Sequence, residues 1–236
     1  KPTTLDHAVL DALEAGITEI EERLADLRAV VVQSAFPKYF LVGANVKELE
    51  RLNVETIERW VVHGHAVFNH LAALPLPVIA RVEGYALGGG LELAMACDII
   101  VASTGASFGQ PEARLGMVSG WGGSYRLPRR VGLARAKILF FTGEIVPAEA
   151  AHAMGLVDFV GDVAALDAYL EGFLENLRAC SPLAVAEMKR LLDHSLDATP
   201  AINGQEEVWA SQVCLATPET QARVASYLES CRKDRH

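Results

Sequence analysis

Between Pro77 and Glu112 the chain reads PVIARVEGYALGGGLELAMACDIIVASTGASFGQPE, and three consecutive glycines, Gly88, Gly89 and Gly90, constrain it most. Val78–Val82 is an apolar, β-branched run of buried-strand length. Leu91–Ala96 then continues from the glycines as an apolar helix. The strand runs into Gly84 and then into three residues without side chains that lead directly into the helix, which lets backbone approach a ligand closely. The free N–H groups of that helix start, with the positive end of its dipole, suit a ligand that carries or develops negative charge. A tight turn needing glycine for packing alone is the other reading. The G-x-G-x-x-G fingerprint is absent, since position 93 is Leu93, and no G-x-x-x-x-G-K-[ST] run occurs. Nucleotide folds of those types are excluded.

The surrounding pattern is strand–helix–strand. Leu5, Val9, Leu13, Ile17, Ile20 and Leu24 recur at three- and four-residue steps, predicting a helix over 5–24 with Thr4 as N-cap. Ala29–Val32 reads as a buried strand, Phe36–Asn45 as a loop and Val46–Leu52 as a short helix. A longer helix spans Val54–Leu74, stopped by Pro75 and Pro77. Asp98–Ala102 is a further strand. Such alternation argues for an α/β core. After Gly161 only helical patterns follow, over 162–180, 181–196, 200–215 and 217–232. Ser181-Pro182, Thr199-Pro200 and Thr217-Pro218 each set a capping hydroxyl before a first-turn proline. Two regions are therefore expected: an α/β core over 1–160 and an all-α region over 161–236. No repeat of fixed period is visible.

The 236 residues are 51% hydrophobic and 22% charged, with a formal charge of −9, the balance of a globular chain. That length buries a core without disulfide or metal staples. Cys97, Cys180, Cys214 and Cys231 lack C-x-x-C spacing, which argues against a zinc site or disulfide framework. The longest apolar runs fall short of the ~20 residues that span a bilayer. Lys1 leads into an amphipathic pattern rather than a secretory leader, so a cytoplasmic protein is expected. Asp6, Asp11, Glu14, Glu19, Glu21, Glu22 and Asp26 outnumber the basic residues of the first helix, which would repel nucleic acid.

Two carboxylates flank the glycines. Glu92 lies in the first turn of an otherwise apolar helix, where a buried charge is costly unless used; the helix dipole also favours an acid there. Glu112 follows twenty residues later in the loop-like FGQPE. His63, His65 and His70 lie on a predicted helix with 63 and 65 pointing apart, better suited to packing than to a metal. Arg126, Arg129, Arg130, Arg135 and Lys137 read as a solvated or subunit-facing surface, with contact to a phosphate-bearing ligand as the alternative.

Four ordered motifs, spread over nearly the whole chain, resemble the crotonase, or enoyl-CoA hydratase, superfamily. They are Phe40–Leu49 (FLVGANVKEL), Gly84–Leu93 (GYALGGGLEL), Phe108–Glu112 (FGQPE) and Gly120–Leu127 (GWGGSYRL). The resemblance implies a crotonase spiral of strand–strand–helix units with a C-terminal helical trimerisation region, as a homotrimer or homohexamer. It implies that the backbone N–H groups of Ala44 and Gly89 form an oxyanion hole for an acyl-CoA thioester. Glu92 would act on the water that attacks C3, and Glu112 on the C2 proton, with coupled titrations. Val42, Lys47, Gly88, Gly90, Leu115 and Trp121 would contact substrate. No metal or redox cofactor is implied, coenzyme A entering as part of the substrate. Isomerisation, decarboxylation and hydrolysis are the rival reactions of the same fold, and a non-catalytic RNA-binding homologue is a more distant one. Asn45 replaces the family's usual Asp, and Ser119 and Trp121 stand where Pro and often a small residue occur. Trp121 would then shorten the acyl pocket or simply pack against a helix. The family's opening strands are not found ahead of Leu5.

Overall fold

The computed structural model describes residues 4–233; residues 1–3 and the side chain of Cys231, both used above, lie outside the described residues. The elements are α1 (His7–Glu22), β1 (Val30–Gln33), β2 (Tyr39–Val42), α2 (Val46–Arg51), α3 (Ile57–Ala72), β3 (Val78–Val82), β4 (Tyr85–Leu87) and α4 (Gly89–Met95). They continue with β5 (Ile99–Ser103), β6 (Ser107–Gly109), α5 (Gly123–Val131), α6 (Leu133–Thr142), β7 (Ile145–Pro147), α7 (Ala148–Ala153) and β8 (Phe159–Gly161). The last four are α8 (Val163–Ala179), α9 (Pro182–His194), α10 (Pro200–Leu215) and α11 (Pro218–Lys233).

Each of the first three turns of the chain gives one strand to each of two sheets before a helix closes it. One sheet is ordered β1-β3-β5-β8 and is parallel throughout. The other is ordered β2-β4-β6-β7, with only β6–β7 antiparallel. This is the expected spiral of strand–strand–helix units. Fully buried Leu10, Phe68, Leu91, Phe108 and Leu127 fill its centre. A repeat invisible as sequence period appears here as a shared device. Asp98 accepts from the Val78 amide at 2.7 Å while its own N–H donates to the Val78 carbonyl at 2.8 Å. Asp158 treats Ile100 identically, at 2.7 and 2.8 Å. Each aspartate thereby sets the register between successive strands.

Several expectations need correction. The first helix starts at His7 with Asp6 as N-cap, not Thr4, because Leu5 is used elsewhere: its N–H donates to Gly43 O and its carbonyl accepts from Asn45 N. Phe36–Asn45 is not all loop but contains β2, and β4 and β6 lie in stretches read as turns. The long helix begins at Ile57, after an Asn53–Thr56 side-chain turn. Thr199 and Thr217 cap as expected, but Ser181 instead donates to Glu219 of α11 at 3.3 Å. Arg130 is a strut rather than solvated surface, donating to Cys97 O, Asp98 O and Asp158. Lys189 of α9 reaches Asp98 at 2.8 Å and Leu76 O at 3.1 Å, tying the helical region to the first sheet. His63 faces Asp11 and Glu14, and His70 pairs with Glu21 at 2.9 Å, so both join α3 to α1. Among the described residues no helix is long and apolar enough to cross a membrane.

Candidate active site

The glycine turn is built by close backbone approach. A Cβ on Gly90 would overlap the Leu41 carbonyl of β2, so α4 begins with bare backbone laid on that strand. Gly88 has φ +54, a left-handed conformation that favours glycine. As first residue of α4, Gly89 has no helical acceptor for its N–H. Across from it, the parallel bridge between Leu5 and Ala44 uses the amides of Leu5 and Asn45, leaving the N–H of Ala44 out of that ladder. Neither the helix nor that ladder therefore uses the amides of Ala44 and Gly89.

Glu112 opens a short 3-10 turn, Glu112–Leu115, after β6. A methyl on Gly88 would lie 3.0 Å from Glu112 Oε1 and 3.6 Å from Gly43 Cα, so carboxylate, glycine turn and Gly43–Ala44 loop converge. Burial, and secondarily the nearby Glu92 charge, push the Glu112 carboxyl up to about 7, against its backbone hydrogen bond. Gln110, fully buried, donates to both Glu112 oxygens at 2.7 and 3.0 Å when its amide nitrogen faces them.

Glu92 is only 1% exposed and is treated differently. Its Oε1 accepts from Trp121 N at 2.7 Å, from Gly123 N at 2.8 Å and from the Ser119 hydroxyl. The 119–123 loop can wrap one oxygen because Gly122 has φ +108 and Gly123 carries no side chain. A Cβ on Gly123 would stand 3.2 Å from Glu92 Oε1 and 3.0 Å from the Gln110 side-chain amide. Arg126 fastens the loop from outside, donating to Trp121 O at 2.8 Å and to Asn69 at 2.6 Å.

Of the predicted contact residues, Gly88 and Gly90 are buried in the turn, Val42 is half-buried beside it, and Lys47 and Leu115 are exposed. Trp121 does not stand open to the site. Its indole is 3% exposed and packs on Trp60, Phe68 and Gly64, with Nε1 donating to Trp60 O at 3.3 Å. The ring fills core behind Gly89, and what reaches Glu92 is the backbone N–H. Ser119, Gly123, Gln110 and Arg126 were not singled out by sequence as site residues. The G-x-G-G run, Gly120–Gly123, was the available signal for Gly123, and the departure from proline the one for Ser119.

Two amides unused by helix or ladder, beside two differently held carboxylates, make this the candidate active site. Residues 3–234 match the family described as enoyl-CoA hydratase/isomerase. The chain is 34% identical to a short-chain-enoyl-CoA hydratase of Clostridium acetobutylicum, over 95% of this chain and 86% of that protein. It is 31% identical to a crotonyl-CoA hydratase of Syntrophomonas wolfei, over 95% and 86%. A crystal structure of an enoyl-CoA hydratase from Bacillus anthracis superposes with TM-score 0.90 at 33% identity, covering 96% of this chain and 88% of that one. The chain belongs to the enoyl-CoA hydratase/isomerase family, and its spiral is the crotonase fold.

Proposed function

We propose that the chain catalyses the reversible hydration of a 2-enoyl-CoA to a 3-hydroxyacyl-CoA. The observation that carries this reading is the pair Glu92 and Glu112, one on each side of a single glycine turn in a chain of this family. The thioester oxygen accepts the N–H groups of Ala44 and Gly89, each such donor being worth ~10²–10³ in rate. Ionised Glu92 removes a proton from water as the water oxygen bonds to C3. The C2–C3 electron pair moves toward the thioester to give the enolate, and protonated Glu112 delivers its proton to C2. A carboxyl held near pH 7 is available in both protonation states at neutrality, which serves both directions of a reversible step. Val42, Gly88 and Gly90 would line the acyl path, with Lys47 and Leu115 at its exposed rim. The scheme calls on no metal or redox group, because the thioester acidifies C2 and the two glutamates move both protons.

Loss of conjugated-thioester absorbance on crotonyl-CoA tests this. Glu92→Gln and Glu112→Gln should each lower hydration by about 10²–10⁴. An isomerase would tolerate Glu92→Gln, since shifting a double bond needs one base. The same family reading implies a cytoplasmic homotrimer or homohexamer. Exposed Leu133, Ile138 and Phe141 on α6 and Trp209 and Leu228 on the last helices support the oligomer. Light scattering at micromolar concentration should give a multiple of 25.4 kDa.

A further inference from the structure

Ser119 occupies a place where the resembling family carries proline, a residue that can donate no hydrogen bond through its side chain. Here its hydroxyl donates to Glu92 Oε1, the same oxygen that takes Trp121 N at 2.7 Å and Gly123 N at 2.8 Å. The three donors come from alternate residues, 119, 121 and 123, of one loop held at φ +108 by Gly122. No hydrogen bond to Glu92 Oε2 is formed by a side chain among the described residues. One oxygen of this carboxylate thus takes three donors and the other takes none among the described residues. Ser119 is only partly buried, and its side chain makes no other hydrogen bond among the described residues.

We propose that Ser119 is a positioning residue for Glu92: its hydroxyl closes a three-donor clamp on Oε1 that leaves Oε2 alone to meet the attacking water. The proposal rests on the hydration reading given above. A carboxylate with two equivalent free oxygens could rotate about its last torsion and meet water with either one. Locking Oε1 fixes the plane of the group and the direction of the base. Hydrogen bonds to an ionised acceptor are the strong ones, and removing one of three weakens the clamp without dissolving it. The two amides would hold Glu92 in place but less tightly, so the loss should fall on turnover rather than on binding.

The test is Ser119→Ala beside Ser119→Thr, each assayed for crotonyl-CoA hydration and for exchange of the C2 hydrogens of butyryl-CoA in deuterated water. Exchange uses Glu112 and the amide pair but needs no water activated by Glu92. For Ser119→Ala the expected result is a roughly tenfold fall in kcat for hydration, KM changed less than about twofold, and exchange within about twofold of wild type. Ser119→Thr, which keeps the hydroxyl, should restore most of the hydration. Equal losses in hydration and exchange would mean the residue only supports the loop, and the proposal fails. Unchanged hydration in Ser119→Ala overturns it as well. A wild-type chain that exchanges C2 hydrogens but does not hydrate crotonyl-CoA would instead overturn the parent reading, and this proposal with it.

Discussion

Glu92 and Glu112 are the same residue type on either side of one glycine turn, yet the protein surrounds them in opposite ways. Glu92 is the more deeply buried, and three donors converge on its Oε1. Glu112 is less buried, but burial together with the neighbouring negative charge lifts its carboxyl to about 7. Glu112 is held by Gln110, which reaches both of its oxygens, whereas Glu92 takes two loop amides and a hydroxyl on a single oxygen. Under the proposed hydration, that contrast would suit two tasks, one carboxyl taking a proton and the other giving it.

The largest break in that contrast would come at Gly123. Gly123→Ala puts a methyl against Glu92 Oε1, Gln110 and Ser119, so the loop must move and the clamp must open. Hydration should fall by at least about 10², and C2 exchange on butyryl-CoA should fall less, because the methyl meets the Glu92 clamp directly and Glu112 only through Gln110. Equal losses would mean that the two carboxylates are not independently supported.

A smaller effect, on stability, sharpens the Glu112 half. Its carboxyl titrates at about 7 in the fold and near 4.5 when unfolded. The folded state thus binds the proton more tightly, so the cost of the charge is absent below pH 4.5, grows between 4.5 and 7, and is complete above 7. Glu112→Gln removes that cost. At pH 8 the variant should be more stable than wild type by on the order of 2–3 kcal/mol, with the gain disappearing by about pH 4 in denaturant titrations. A gain of the same size at both pH values would assign it to packing.

How much of this is legible in sequence differs between the same two sites. Val78–Val82 and the helix after the glycines are readable because an apolar, β-branched run and an apolar helix face announce themselves. Glu92 and Glu112 stand out as charges in an apolar helix and in a matched motif. The strands β2, β4 and β6 do not, since runs of three or four residues flanked by glycine are defined by their partners rather than by any period. The clamp on Glu92 is less visible still. Two of its donors are backbone amides that any residue would possess, and their aim comes from the left-handed Gly122. Trp121 is open in sequence between pocket and packing, and the choice comes from tertiary contacts: the space left by Gly64 and Gly89 takes the indole into the core.

The division of labour between the two carboxylates is tested most directly by measuring crotonyl-CoA hydration and butyryl-CoA C2 exchange together in Glu92→Gln and Glu112→Gln. The account predicts that Glu92→Gln loses about 10²–10⁴ in hydration yet keeps exchange within a few-fold of wild type, while Glu112→Gln loses both. Exchange lost in Glu92→Gln as severely as hydration, or exchange retained in Glu112→Gln, would contradict it.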